Sequence, residues 1–286
     1  MVIVRIIGGL GNQMFQYALY KNLTKKCKNV KCDIIGFDNY KLHTGFELEN
    51  IFDVTINKAT LKEVNDITNI YSKNIFTKVK RKLIGNSPNH LHESEFTWDT
   101  IETKNNLYLD GYWQNDSFFG DSNLLKDFSF KQKLNDENIK LIDTINSCNS
   151  VSIHIRRGDY VGNSVYTLCD ELYYKKAIAH LQSQKNDLVL FVFSNDMNWV
   201  RNILIPYLDT DLNVFFVENN NSNPSVDMRL MSLCKANIIS NSSFSWWGAW
   251  LNRNKEKIVI ATSKWYRNKI QNSRQIKNLP KSWLTI

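Results

Sequence analysis

From residue 151 onward, short apolar runs alternate with amphipathic stretches, and this alternation limits the fold more than any other feature of the chain. Residues 151–155 read as a short apolar strand. Residues 171–181 place Tyr174, Ala177, Ile178 and Leu181 at the i, i+3, i+4, i+7 spacing of a half-buried helix. Residues 188–193 are continuously apolar, as in a strand covered on both faces. A helix is expected over 196–205, stopped at Pro206, and then a strand over 213–217. Pro224 stands where a first helical residue should, opening a helix that carries Val226, Leu230 and Leu233. Strand 237–240, helix 242–251 and strand 257–261 complete the series. Strict alternation of this kind calls for an α/β fold, a parallel sheet with helices on both faces.

The first half is less regular. A strand over 2–7, a glycine turn, a helix over 12–26 and a strand over 31–35 open it. Residues 37–106 show no sustained period and are rich in Asn, Lys and Thr. Residues 106–113 read as a further strand, and 136–148 as a helix leading into 151. The expectation is two α/β domains, 1–148 and 149–286, with a C-terminal tail packing back on the first. A chain of 286 residues accommodates both.

No apolar run approaches the length of a membrane-spanning helix. The N-terminus lacks a basic region followed by a long apolar stretch, so no signal peptide is expected. The five cysteines (27, 32, 148, 169 and 234) include no C-x-x-C pair and suit free thiols in a reducing cytosol. The net charge of +8 suits an acidic partner: nucleic acid, an anionic membrane or a phosphorylated substrate. The basic residues are largely scattered, as over 73–82 and 253–269, and no zinc-finger, basic-zipper or RNA-recognition spacing supports nucleic acid. A weak pull toward an anionic leaflet is expected.

Three turns carry chemistry. Gly8-Gly9-Leu10-Gly11-Asn12-Gln13 lies between a strand and a helix, where glycines let backbone approach a ligand and helix N–H groups meet an anion. It is not a P-loop, and Met14 stands at the third glycine position of the dinucleotide fingerprint. Alone it reads as a tight turn with Asn12 capping the helix. His154-Ile155-Arg156-Arg157-Gly158-Asp159 ends a strand, with His154 and Arg156 on one face and Ile155 on the other. Ligands of open α/β sheets bind at that edge, and arginine offers phosphate a planar fork of charged donors. An Arg-Asp surface pair beside a buried histidine is the plainer reading. Ser240-Asn241-Ser242-Ser243-Phe244-Ser245-Trp246-Trp247-Gly248 again enters a helix from a strand. Phe244, Trp247, Gly248 and Leu251 form its expected buried stripe, and an N-cap accounts for one serine without the hydroxyl surplus.

Two signals carry less. Asp209-Thr210-Asp211 has the D-x-D pattern of metal-dependent sugar transferases but precedes a strand where theirs follows one. Histidines 43, 90, 92, 154 and 180 lack zinc spacing, so no metal is expected.

The glycine turn extended through Met14-Phe15-Gln16-Tyr17-Ala18, the arginine turn extended to Tyr160, and the serine turn extended to Ala249-Trp250 together resemble the bacterial α-1,2-fucosyltransferases of glycosyltransferase family 11. Gly111-Tyr112-Trp113-Gln114 and Phe193-Ser194-Asn195-Asp196 fall where that family has similar segments. The resemblance spans nearly the whole chain. It implies a GT-B-like fold of two Rossmann-like domains with a cleft between them, GDP-fucose as donor, inversion at the anomeric carbon, and neither metal nor cofactor. It also implies a terminal β-galactose as acceptor, built in bacteria into O-antigen or capsule on a lipid carrier at the inner face of the membrane. Transfer of another nucleotide sugar and a non-catalytic GDP- or carbohydrate-binding role are the rival readings.

On these residues the resemblance puts Arg156 on the donor pyrophosphate, with His154 and Arg157 beside it. Asp196 lies near the guanosine, a role compatible with an N-cap. Ser242, Ser243 and Phe244 contact phosphate, and Asp227 sits where related enzymes are acidic, although an acid is favourable in any first helical turn. Gly11 and Asn12 face the cleft from the first domain. Arg156 and the helix start at Ser242 then stabilise the charge of departing GDP in place of a metal. Asp159 is the candidate base for the acceptor hydroxyl, and can equally hold Arg157 or cap the turn.

Overall fold

In a computed structural model, which describes residues 1–39, 45–72, 74–76, 79, 85–120, 123–208, 211–218, 220 and 223–286, the first apolar run forms strand β1 (Val2–Arg5). Helix α1 (Leu10–Lys26), strand β2 (Val30–Asp33), helix α2 (Leu61–Ile67) and strands β3 (His90–His92) and β4 (Leu107–Asp110) follow. The four strands lie in the order β2-β1-β4-β3, every pairing parallel. Helix α1 begins at Leu10, with Gly9 as its N-cap, earlier than the expected start at Asn12. The Asn12 amide already donates to the Gly9 carbonyl at 2.9 Å, so Asn12 lies inside the first turn and does not cap it. Helix α2 sits in the stretch that showed no period; Thr60 and Glu63 close a capping box around its start.

The second sheet follows the expected alternation closely. Helix α3 (Asp136–Ser147), strand β5 (Asn149–Ile155), helix α4 (Glu171–Gln182) and strand β6 (Leu188–Ser194) come first. Strand β7 (Asn213–Val217), helix α5 (Pro224–Met231), strand β8 (Ala236–Ile239), helix α6 (Ser243–Trp250) and strand β9 (Ile258–Ala261) come next. Helix α7 (Lys269–Lys277) and strand β10 (Leu284–Thr285) were not foreseen. The six strands run β10-β9-β8-β5-β6-β7, again all parallel. Tyr174, Ala177, Ile178 and Leu181 of α4 are buried against Val151, Ile153, Leu190 and Val192 of the central strands, as their spacing predicts.

Three expectations change. The chain divides into units Met1–Lys131 and Gln132–Ile286, so α3 belongs to the second unit and the boundary precedes residue 148. The cause is local: Asn138 of α3 is buried and bonds Asn220 at 3.0 Å, and α3 packs on β5. The tail adds β10 to the edge of the second sheet, with Ile286 packed on that unit's core. Pro206 does not stop its helix. A π-helical turn over Val200–Leu204 precedes an α-helical turn over Ile205–Leu208, and the wider turn accommodates a residue with no N–H to give. Two Rossmann-like α/β units in tandem make the fold GT-B-like. Asp209 and Thr210 of the D-x-D pattern, His43, Lys73, Lys78, Lys80, Arg81 and Lys82 lie outside the described residues. Among the described residues, no helix is long and apolar enough to cross a membrane.

Candidate active site

Chain order and sheet order part company at one place. From β5 the chain moves to β6 and β7 on one side, then crosses back to β8, β9 and β10 on the other. The carboxyl ends of β5 and β8 therefore flank a topological switch point, where departing connections leave a crevice for a ligand. The arginine turn leaves β5 there, and the serine turn leaves β8.

His154, near the end of β5, is buried, and its Nδ1 lies 2.9 Å from Ser240 Oγ. Burial, and then the Arg156 charge, push its imidazole down to about 3, so the ring is neutral at physiological pH. Its ring centroid is 5.6 Å from that of Phe244, which is half-buried and packs here instead of completing the apolar stripe of α6. His154 thus ties β5 to β8 and brings no charge of its own. The Tyr160 hydroxyl adds a second tie, donating to the Asn241 carbonyl at 3.2 Å.

The two arginines go separate ways. Arg156 Nε stands 2.8 Å from Asp159 Oδ1, a contact of charges in which the buried Nε–H finds no aligned acceptor. Its guanidinium lies 5.8 Å from the Tyr160 ring. Arg157 pairs instead with Asp196, Nε to Oδ2 at 3.3 Å, and lies over the Trp199 ring at 4.1 Å. Asp159 therefore holds Arg156, not Arg157. Both oxygens of Asp196 are engaged within the turn, since Oδ1 accepts the Trp199 amide at 3.1 Å as the expected N-cap.

Asn195 belongs to the 193–196 segment that carries the resemblance, but the sequence alone gives it no role. Its Oδ1 accepts the backbone amides of Arg157 at 2.9 Å and Gly158 at 3.2 Å, so the end of β6 holds the turn that leaves β5. A Cβ on Gly158 would come within 2.6 Å of Asn195 Nδ2, so a larger residue there would have to shift the Asn195 amide. The signal was a polar residue at the end of a strand next to an expected cap, and that is too common to notice alone.

Ser242 caps α6, its Oγ accepting the Phe244 amide at 3.3 Å, and is itself buried. The half-buried Ser243 opens the helix, and no described residue engages its hydroxyl. A helix start with a spare hydroxyl and a guanidinium on the neighbouring strand end together suit a multiply charged anion. Asp227, in the first turn of α5, stands apart from this group. Burial pushes its carboxyl up to about 6 against the bond from Asn220 Nδ2 at 2.8 Å, and no described contact joins it to the Arg156 turn.

Within the first unit, the glycine motif is braced by its own glutamines. Gln16 Oε1 accepts the Ile7 amide and its Nε2 donates to the Gly111 carbonyl, both at 2.9 Å. Gln13 Nε2 donates to the carbonyls of Gly8 and Gly45 at 2.9 and 2.8 Å. Gly8 has φ +79°, and a Cβ there would meet Asn12 Nδ2 at 2.7 Å. Asn12 Oδ1 accepts Gln114 Nε2 at 2.8 Å, so the first motif and the 111–114 segment are one construction, with Gly11 buried in the helix between them.

The carboxyl edge of this sheet carries a second polar cluster. His90, His92 and Asp110 place three potential metal-ligand atoms within 4.8 Å of one another. Strand alternation puts both histidines on one face, an arrangement that an aperiodic stretch conceals in the sequence. Arg5 Nη1 at 2.9 Å and His90 Nε2 at 3.2 Å already converge on Asp110 Oδ2. Burial opposes its ionisation, but the His90 bond and the Arg5 charge hold Asp110 below the usual carboxylate range. A cation there would face a guanidinium, so the cluster reads as an internal ion network.

Comparison with known proteins identifies the family. The sequence matches the model of glycosyl transferase family 11 over residues 1–286. An alpha-1,2-colitosyltransferase of Escherichia coli is 36% identical over 293 residues, covering 100% of this chain and 98% of that protein. The O-antigen biosynthesis glycosyltransferase WbnK of Escherichia coli is 34% identical over 288 residues, covering 91% and 93% respectively. Galactoside alpha-(1,2)-fucosyltransferase 2 of Mus musculus is 32% identical over 107 residues, which is 35% of this chain and 30% of that protein. The chain belongs to glycosyl transferase family 11.

Proposed function

We propose that this glycosyltransferase moves L-fucose from GDP-fucose to the 2-hydroxyl of a terminal β-galactose, inverting the anomeric carbon and needing no metal. The observation that carries the reading is that Arg156 and the Ser242–Ser243 helix start leave the adjacent strands β5 and β8, which flank the switch point of the second sheet. Breaking the fucosyl bond leaves negative charge on GDP, and preorganised donors outside bulk water stabilise it. Arg156 and Ser243 supply those donors in this reading, and Arg157 and Asp196 brace the turn. Arriving pyrophosphate competes with Asp159 for Arg156. Asp159, whose side chain is 52% exposed, is thereby released to accept the acceptor's proton. Asp227, Gly11 and Asn12 remain candidate substrate contacts.

The full-length match to an alpha-1,2-colitosyltransferase favours a second reading, GDP-colitose as donor. Colitose is fucose without its 3-hydroxyl, and a site built to bond that hydroxyl rejects the deoxy sugar by roughly four orders of magnitude. An acceptor of O-antigen type, lipid-linked at the cytoplasmic face of the membrane, fits the WbnK match. The net charge of +8 supports weak attraction to that anionic surface.

A panel of GDP-fucose, GDP-colitose and UDP-sugars, run with galactose-terminated acceptors in excess chelator and followed by linkage analysis, tests the proposal. Transfer of fucose to O-2 is expected to persist in chelator. Preference for GDP-colitose replaces the first reading with the second, and preference for a UDP-sugar ends both. Dependence on added manganese ends the metal-free mechanism, and GDP binding without GDP release makes the chain a binding protein. Asp159→Asn should slow transfer while tightening GDP binding, because Arg156 loses its internal competitor; an unchanged rate removes Asp159 as base.

A further inference from the structure

Asn195 has no place in the chemistry above, yet it links the end of β6 to the turn that leaves β5 at the anion site. Ile155 and Ser194 are register partners on β5 and β6, so Asn195 begins the turn beside the one that carries Arg156. Its single side-chain oxygen receives two consecutive amides, from Arg157 and Gly158, which flank the point where the chain bends after Arg156. Arg157 sits at φ −129°, ψ −56°, outside the common basins, and a residue held there needs its surroundings to fix it. The next residue along the same loop, Asp196, draws the Arg157 side chain away onto Trp199. One short segment, 195–199, thus fixes the backbone of the turn and removes the neighbouring arginine from competition.

We propose that Asn195 is the positioning residue for Arg156, setting through the amides of Arg157 and Gly158 where the guanidinium meets the donor's pyrophosphate. This rests on the reading of Arg156 as the pyrophosphate anchor. The role differs from simple support of the fold. Asn195 is exposed, its partners are backbone amides of a surface turn, and the strands on either side are complete without it. The close approach of Gly158 to the Asn195 amide supplies an independent handle, because a methyl group on Gly158 would evict the same side chain.

A double-mutant cycle on GDP affinity, measured by calorimetry, tests the assignment without requiring turnover. Asn195→Ala should weaken GDP binding and slow transfer by about 10- to 100-fold, the scale on which misplaced catalytic groups are felt. Melting temperature should stay near the wild-type value. In an Arg156→Ala background the same change should have no further effect, since there is no guanidinium left to place. Gly158→Ala should reproduce the loss alone and add little to Asn195→Ala, whose vacated space receives the new methyl. An equal loss in the Arg156→Ala background would overturn the proposal, as would wild-type GDP affinity in Asn195→Ala. Full activity in Arg156→Ala would instead remove the anchor reading, and the positioning role with it.

Discussion

Arg156 and Arg157 are adjacent and chemically identical, yet their side chains have different partners. Arg157 is sandwiched between a carboxylate and an indole ring, 17% exposed at its side chain, and has little left to offer a ligand. Arg157→Ala should therefore lower stability by about 1 kcal/mol, from a partly exposed ion pair and a cation–π contact, with a modest effect on rate. Arg156→Ala should do the reverse, leaving Tm nearly unchanged and lowering kcat by roughly 100- to 1,000-fold, as when an oxyanion donor is removed. Equal losses of activity in both variants would contradict the division. Buried His154 and half-buried Asp227 make a further prediction. His154 is depressed to about 3 in the fold, so the unfolded chain binds more protons below the ordinary histidine range and stability rises with pH there. Asp227 is raised to about 6, so the folded chain holds the extra proton and stability falls as pH rises toward that value. The two oppose each other between the ordinary carboxylate range and Asp227's raised value. Relative to wild type, Asp227→Asn should gain up to about 1.4 kcal/mol per pH unit on raising pH through this window, and His154→Gln should lose a similar amount. Urea titrations at several pH values check both signs; parallel stability curves for all three proteins would refute the burial argument.

The contrast between the two halves shows what can be read from sequence at the level of elements. In β5, α4 and β6 the burial pattern coincides with the chemical pattern, because covered parallel strands must be apolar throughout and their helices on one stripe. The switch point followed from that order only once β8 was found beside β5. In the first unit, β3 has three residues, and polar His90 is buried beside Leu91 while His92 is exposed, so no apolar period announces it. Helix α1 was legible as a helix but not for its function, since its polar residues face inward as braces. Gln16 is wholly buried and closes two backbone groups from separate loops. Gln16→Met keeps the volume and removes both bonds, stranding the Ile7 amide and the Gly111 carbonyl. It should cost about 2–5 kcal/mol, since an unpaired buried polar group forfeits its full desolvation. Denaturant unfolding measures this. A loss no larger than that of a surface substitution would mean that water reaches the site.

Net charge and exposed apolar side chains together give a testable prediction for the whole molecule at an anionic surface. The chain carries a net +8, and between Asp66 and Glu93 it has Lys73, Lys78, Lys80, Arg81 and Lys82 with no acidic residue. Within the same stretch Ile75, Phe76 and Val79 are 71%, 82% and 51% exposed. In general, basic residues draw a protein toward an anionic bilayer, and exposed apolar side chains near them add contact with the interface. Neither term is large alone, and surface attraction falls off within a Debye length, so binding should be weak, reversible and sensitive to salt. Flotation with phosphatidylglycerol-containing vesicles should recover the protein at low ionic strength, and phosphatidylcholine vesicles should not. Phe76→Ser leaves the charge unchanged and should reduce recovery several-fold, while activity toward a soluble acceptor is unaffected. Recovery that ignores lipid charge would remove the electrostatic term. Recovery that ignores Phe76→Ser would leave the basic charge alone to hold the enzyme at the surface.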